Sequence, residues 1–204
     1  MSLSLSPGPA LSSPELLAPP VAAALRSLPA AGEIRVAAID PALADTTAFC
    51  AEYGVAPEES VNCVVIAARR GGDTSYAACM VAATTRADVN GLVRRHLGAR
   101  KASFGAVDVV TALTGMEYGG ITPIGLPDGW PVLVDAPVVK LPSVVIGSGI
   151  RGSKLWLPGC SATCPERRSC PAWGCDNCHS IRVWFDSGNR TRHSEVGQIR
   201  HLVR

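Results

Sequence analysis

The chain has 204 residues, 18% charged, 47% apolar and 5% aromatic, with 20 glycines and 16 prolines, enough for one domain of ordinary size. Its 19 basic and 17 acidic residues leave a net charge of +2. No global basic field points to DNA and no acidic excess to a solvating chain, so any RNA contact has to be local.

Residues 1–30 are rich in Ser, Pro, Ala and Leu. They lack the basic start and continuous apolar stretch of a secretory signal, and no window in the chain reaches 18 apolar residues, so the expectation is a cytoplasmic chain without a membrane partner. There Cys50, Cys63 and Cys79 are thiols with packing roles. Residues 1–30 read as a flexible leader with room for one short helix after Pro20. A helix is predicted over 41–53, because Asp40 can cap it, Pro41 suits its first position and Gly54 can end it. Two strands, 61–68 and 75–83, flank a turn at Gly71 and Gly72 and should pair antiparallel. The segment TTRADVNGLVRRHLG reads as a helix with a Thr85 and Asp88 capping box, an apolar stripe including Val89, Leu92, Val93, His96 and Leu97, and a stop at Gly98.

KASF then precedes a helical turn over 108–113, and the densest turn chemistry of the chain follows in residues 115–135, GMEYGGITPIGLPDGWPVLVD. Alternating Gly and Pro fix an ordered loop there. WPVLVD, VVIGSG and SKLWL supply the remaining short strands. The order of elements describes an α+β or mixed α/β domain, since the 61–83 hairpin rules out a purely parallel sheet.

The segments VNCVVIAA, GMEYGGITPIGLPDGWPVLVD and VVIGSGIRGSKLWLPG, in that order, resemble the YbaK/ProX family. This is the aminoacyl-tRNA deacylase domain that also occurs as an editing insertion in bacterial prolyl-tRNA synthetases. The resemblance runs from Asp40 to Gly159 and makes residues 31–159 the deacylase-like domain. It implies a curved mixed, partly antiparallel sheet with flanking helices. It also implies a role in translation fidelity, hydrolysis of misacylated tRNA in trans, with no cofactor and no metal. Misacylated tRNA is the implied partner, with an aminoacyl-tRNA synthetase as a candidate second one.

The resemblance places a pocket under Gly119–Gly125, facing the Gly147–Gly152 loop. Cleaving an ester with water needs orientation and an oxyanion donor more than a metal, and clustered glycines let backbone N–H groups approach a carbonyl. The candidate catalytic residues are Asn62, Thr122 and Gly149. The candidates for holding substrate are Gly119, Gly120, Pro123, Gly125, Gly147, Ser148, Arg151 and Lys101. Members of the family carry an activity-relevant lysine at the start of the first strand, in a pattern like Phe-Lys-Thr. The matching stretch here is Val61-Asn62-Cys63, so Asn62 stands at the lysine position and offers hydrogen bonds without charge.

Lys101, the only lysine between the leader and Lys140, is then a source of charge from another strand or a solvated neighbour of Arg100. Thr122 offers a hydroxyl to substrate or bonds its own turn. The backbone N–H groups of Ser148 and Gly149 are candidate donors, and Arg151 reads as a phosphate contact or a surface ion pair. Asp135 is a base or a turn anchor, and His96 a packed residue. No G-x-S-x-G elbow, P-loop or dinucleotide fingerprint occurs.

From Cys160 onward the composition changes: 7 of the 19 basic residues, 4 of the 17 acidic ones and five of the eight cysteines fall in this tail. Cys175-x₂-Cys178 is a legitimate zinc half-site, but the other spacings do not complete a knuckle. Back-translated with GC-rich codons and read one base earlier, the tail yields LLGHLPGAEVVPGLGL and a stop, the helix-and-strand ending such a domain would have. Residues 160–204 are therefore expected to be a frameshift-derived or disordered extension. The leading functional reading is a free-standing deacylase of misacylated tRNA. Its rival is a non-catalytic tRNA- or aminoacyl-binding module that kept the fold and lost the lysine.

Overall fold

The computed structural model describes residues 4–159 and the backbone of residues 181–183. In chain order the elements are β1 (Gly8–Pro9), α1 (Pro19–Leu25), β2 (Arg35–Ala38), α2 (Thr46–Tyr53), β3 (Val61–Arg70) and β4 (Asp73–Ala82). After them come α3 (Arg94–His96), β5 (Lys101–Phe104), α4 (Val107–Thr114), β6 (Val132–Val134), α5 (Ala136–Val139), β7 (Ser143–Gly147), β8 (Ser153–Pro158) and β9 (Ile181–Val183).

The β3–β4 hairpin is the spine. Its β-branched and small residues pair from Val61↔Ala82 to Arg70↔Asp73, and Gly71 and Gly72 close it with φ of 61° and 100°. Two successive left-handed residues give the turn a twist that matches right-twisted strands. β5 pairs antiparallel with the free edge of β3, β6 runs parallel to β4, and β9 runs parallel to β6, for a sheet order β5-β3-β4-β6-β9. A second, antiparallel sheet has the order β1-β2-β8-β7. The sheets meet where β3 begins, through a parallel bridge between Ser60 and Val145 and a 2.8 Å bond from Val145 N–H to the Glu59 carbonyl. This is the mixed α/β architecture, partly antiparallel and flanked by helices, that the sequence predicts.

Three segments differ from expectation. The 41–53 helix is divided into a 3₁₀ turn, Pro41–Leu43, and α2. Asp40 caps the first through Ala42 N–H, but the Asp45 carboxylate accepts from Thr47 and Ala48 N–H and starts a new helix; Gly54 ends it at φ 67°. The capping box near Thr85 does not form. Asp88 alone accepts from Gly91 and Leu92 N–H above a π-helical turn, Val89–Val93, while the Thr85 hydroxyl reaches the Asp135 carboxylate at 3.2 Å.

The third segment is the leader, which is part of the domain over its described residues. β1 pairs with β2, and α1 buries Val21 and Leu25 completely. Both join Ile34, Met80, Ile124, Ile146 and Leu155 in the main core, where each large side chain removed from water contributes about 1.5–3 kcal/mol. A second core, with Ile66, Cys79, Val81, Val93 and Leu133, lies under the 89–96 segment. A third, with Ile39, Phe49, Cys50 and Val145, lies under α2.

Of the tail, β9 alone falls among the described residues. The zinc and reading-frame alternatives otherwise concern residues 160–180 and 184–204, outside them.

Candidate functional site

The polar residues of the β-surface gather where α2 crosses the junction of the two sheets. Directly paired strand residues share a face, as do residues two apart along one strand. Gly147 pairs with Lys154, Val145 with Trp156 and Ser60 with Val145, so Lys154, Trp156, Gly147, Ser60 and Asn62 present one face, which α2 covers. The Thr46 hydroxyl, in the first turn of α2, donates to Asn62 Oδ1 at 2.5 Å. The Asn62 amide nitrogen keeps its N–H donors, with no partner among the described residues.

Lys154 Nζ donates to the Ala44 carbonyl at 3.1 Å and lies 5.4 Å from the centroid of the Phe49 ring. At 7% exposure it is the one buried basic side chain among the described residues. Burial pushes its ammonium below the ordinary lysine range; Cys50 opposes that shift, Arg151 adds to it and Asp45 opposes it. Burial likewise raises the Cys50 thiol, against a hydrogen bond with Ser60. Cys79 is pushed up to about 12 by burial, so it stays a thiol at neutral pH.

The two glycine loops meet beside this cluster. A Cβ on Gly147 would fall on the carbonyl oxygens of Gly120 and Ile121, and one on Gly120 would come within 2.5 Å of the Ile150 backbone. The absence of side chains therefore lets the loops pack backbone on backbone, so no pocket separates them. The N–H of Gly149 is a committed donor rather than a free one, bonded to the Gly120 carbonyl at 2.7 Å, while the Gly149 carbonyl accepts from Glu117 N–H at 2.8 Å.

Arg151 clamps the crossing. Its N–H reaches Glu117 Oε2 at 2.7 Å, and its guanidinium donates to the Tyr118 and Pro41 carbonyls at 3.2 and 3.1 Å. Gly119 lies against that guanidinium, Gly125 against the Pro20 carbonyl of α1, and Gly149 against Ala18 and Val21. Ser148 is buried, sharing a 2.6 Å hydroxyl contact with Ser153, whose own hydroxyl bonds the Leu16 carbonyl. Pro123 and Thr122 are buried, and Thr122 Oγ1 has no partner among the described residues. Asp135, fully buried, takes the Thr85 hydroxyl where β6 meets α5.

Lys101 lies elsewhere. It pairs with Arg69 in the β3–β5 register, at the far end of the hairpin, and with Arg70, Arg100, Gly71, Gly72 and Thr74 lines an open cleft of about 760 Å³. Eight residues of strand separate Arg70 from Asn62, roughly 26 Å at the usual rise. The fold thus brings Asn62, Gly120 and Gly147 together, sets Thr122 close by in sequence, and leaves Lys101 apart. Lys154 and Thr46 are additions that the sequence reading passed over. The alternation in SKLWL, with Lys154 and Trp156 on one face and Ser153, Leu155 and Leu157 on the other, is the signal for the lysine.

A mixed α/β domain with a polar cluster beside two interlocked glycine loops defines the class. The chain belongs to the aminoacyl-tRNA editing domain family, whose profile matches residues 40–160. A solved structure described as a candidate trans-editing enzyme for prolyl tRNA synthetase is 18% identical, with a TM-score of 0.63 over 81% of this chain and 94% of that one. A scaffold protein used for computational epitope grafting aligns equally well, at 18% identity, a TM-score of 0.63 and coverage of 81% and 95%. Hypothetical protein APE2540 is 20% identical, with a TM-score of 0.55 over 61% of this chain and 80% of its own. At these identities the shared property is the fold. No curated protein matches the sequence. No helix among the described residues is long and apolar enough to cross a membrane.

Proposed function

We propose that the chain is a trans-acting deacylase that hydrolyses the ester bond of misacylated tRNA. Family membership supports the class. The observation that carries the reaction is the cluster beneath α2, where Asn62 offers an uncommitted amide beside backbone locked by the Gly120–Gly147 crossing. Donors held rigidly in a largely dry site stabilise a developing oxyanion without reorganising.

The reaction needs no group from the protein to become covalently attached. Water adds to the ester carbonyl carbon as the C=O electron pair moves onto oxygen. Collapse of the tetrahedral species then breaks the acyl C–O bond to the terminal ribose. The proton from water passes to the ribose oxygen, relayed by the vicinal hydroxyl, and the amino acid leaves as its carboxylate with release of one proton. Gly120, Gly147 and Gly149 hold the loop frame in this reading, and Thr122 Oγ1 is a buried hydroxyl available to a bound acyl group.

The basic cleft formed by Arg69, Arg70, Arg100 and Lys101 supports tRNA as the substrate. It stands too far from Asn62 to reach the ester and offers charge to backbone phosphates, which position a nucleic acid without reading its sequence. Lys101 is thus a phosphate contact in the proposal. The test is a panel of tRNAs carrying Ala, Cys, Ser or Pro. Accelerated release from at least one supports the deacylase; tRNA binding with no acceleration from any supports the non-catalytic module.

A further inference from the structure

We infer that Lys154 is a catalytic residue of this site, its ammonium donating to the carbonyl oxygen of the scissile ester and sharing with the Asn62 amide the negative charge that develops there. The inference rests on the deacylase reading and adds to it the group that carries the charge.

Lys154 is opposite Gly147 in the β7–β8 register, so its side chain leaves the sheet on the face where the Gly120 and Ile121 carbonyls cross. Lys154 and Asn62 then grip the same short stretch at the start of α2, one through the Ala44 carbonyl and the other through the Thr46 hydroxyl.

The hydrogen bonding of the ammonium is also incomplete. Of its three N–H donors, one is taken by Ala44, and the Phe49 ring covers one side. No carboxylate pairs with it among the described residues. A lysine this deeply buried ordinarily has an anionic partner, since an ammonium in a low-dielectric interior is unfavourable without one. An oxyanion formed from substrate supplies that partner at the moment of reaction.

Other cations do not compete for the role. The Arg151 guanidinium is committed to the Tyr118 and Pro41 carbonyls, and Lys101 is at the hairpin tip. The charged and titratable groups that act on Lys154 are Cys50 from α2, Asp45 at its N-terminal cap and Arg151 from the adjoining loop. Burial lowers the pKa of the ammonium, so its charge, and activity with it, is lost as the pH rises through a value below the ordinary lysine pKa.

The experiment uses the full chain and a mischarged tRNA that it deacylates, in single-turnover kinetics corrected for spontaneous hydrolysis. Each variant's thermal unfolding is recorded. Lys154→Met is expected to lower the rate constant by about 10²–10³-fold without lowering Tm. Lys154→Arg is expected to keep part of the rate and to move the alkaline fall in activity to higher pH, because a guanidinium does not deprotonate there. Asn62→Lys introduced into the Lys154→Met chain is expected to restore activity. A loss under about threefold in Lys154→Met, or an alkaline fall that Lys154→Arg leaves in place, overturns the role of Lys154 alone. Should Lys154→Met unfold, the Lys154→Arg profile decides. A wild-type chain inactive on every mischarged tRNA overturns the deacylase reading, and this inference with it.

Discussion

Leu25→Ala tests whether the segment before β2 is part of the folded domain. Leu25 is fully buried in the main core with Val21, Ile34 and Leu155. Removing three carbon groups at about 0.8 kcal/mol each forfeits roughly 2.4 kcal/mol of transfer free energy. The cavity left behind raises the loss to about 3–4 kcal/mol. In a domain stable by about 5–15 kcal/mol this is a large share, and it lowers Tm by roughly 6–16 °C. Urea titration followed by tryptophan fluorescence measures it, with Leu11→Ala as the control, because Leu11 belongs to the same segment but is 48% exposed. The control is expected to stay within about 0.5 kcal/mol of wild type. If Leu25→Ala behaves like Leu11→Ala, the segment is not packed and the reasoning fails.

Four further outcomes are expected. Gly147→Ala forces its Cβ onto the Gly120 and Ile121 carbonyls, so it should cost about 1–3 kcal/mol and lower deacylation as the loop is displaced, read from urea midpoints and rates on one preparation. Asn62→Ala removes an uncommitted amide donor and should slow deacylation by about 10²-fold, whereas Asn62→Lys should retain or raise it; rates that rank the other way count against Asn62 as a donor. Replacing Arg69, Arg70 and Lys101 with Gln should weaken tRNA binding and flatten its salt dependence by about 0.9 in log–log slope for each phosphate no longer neutralised, with the rate of bound substrate unchanged. Cys79, held protonated by burial, should resist alkylation at pH 8 in the native chain and react after unfolding, as peptide mapping of the labelled cysteine would show.

The parts of the fold legible in the sequence were those set by local chemistry. Gly71 and Gly72 between β-branched runs specify a hairpin, and Gly54 ends its helix through left-handed backbone, as its φ of 67° shows. The split of the 41–53 helix was harder to see, because Asp40 and Asp45 are both competent caps and the Thr46–Asn62 bond that accompanies the fresh start at Asp45 joins residues distant in the chain.

The leader was misjudged for a non-local reason. Its Ser, Pro and Ala content looks like a linker, but Ala18, Pro20 and Val21 fit surfaces left bare by Gly125 and Gly149, more than a hundred residues away. The site shows the same division. Clustered glycines signalled a place of close approach, but not that the approach is of loop to loop, with the Gly149 N–H consumed in it. Lys154 sat in a readable strand alternation; its burial depended on α2 folding over that face.

Hydrolysis of the aminoacyl ester by this fold, with asparagine at position 62, is the activity proposed for the chain. The most direct measurement is the first-order release of labelled amino acid from alanine-charged tRNA of a non-alanine identity, with the chain in excess and the buffer rate subtracted. Release well above the buffer rate, reduced in Asn62→Ala, is the expected result. Release at the buffer rate from alanine-, cysteine-, serine- and proline-charged tRNAs alike, while the chain still retards tRNA in a binding assay, would contradict this hydrolysis.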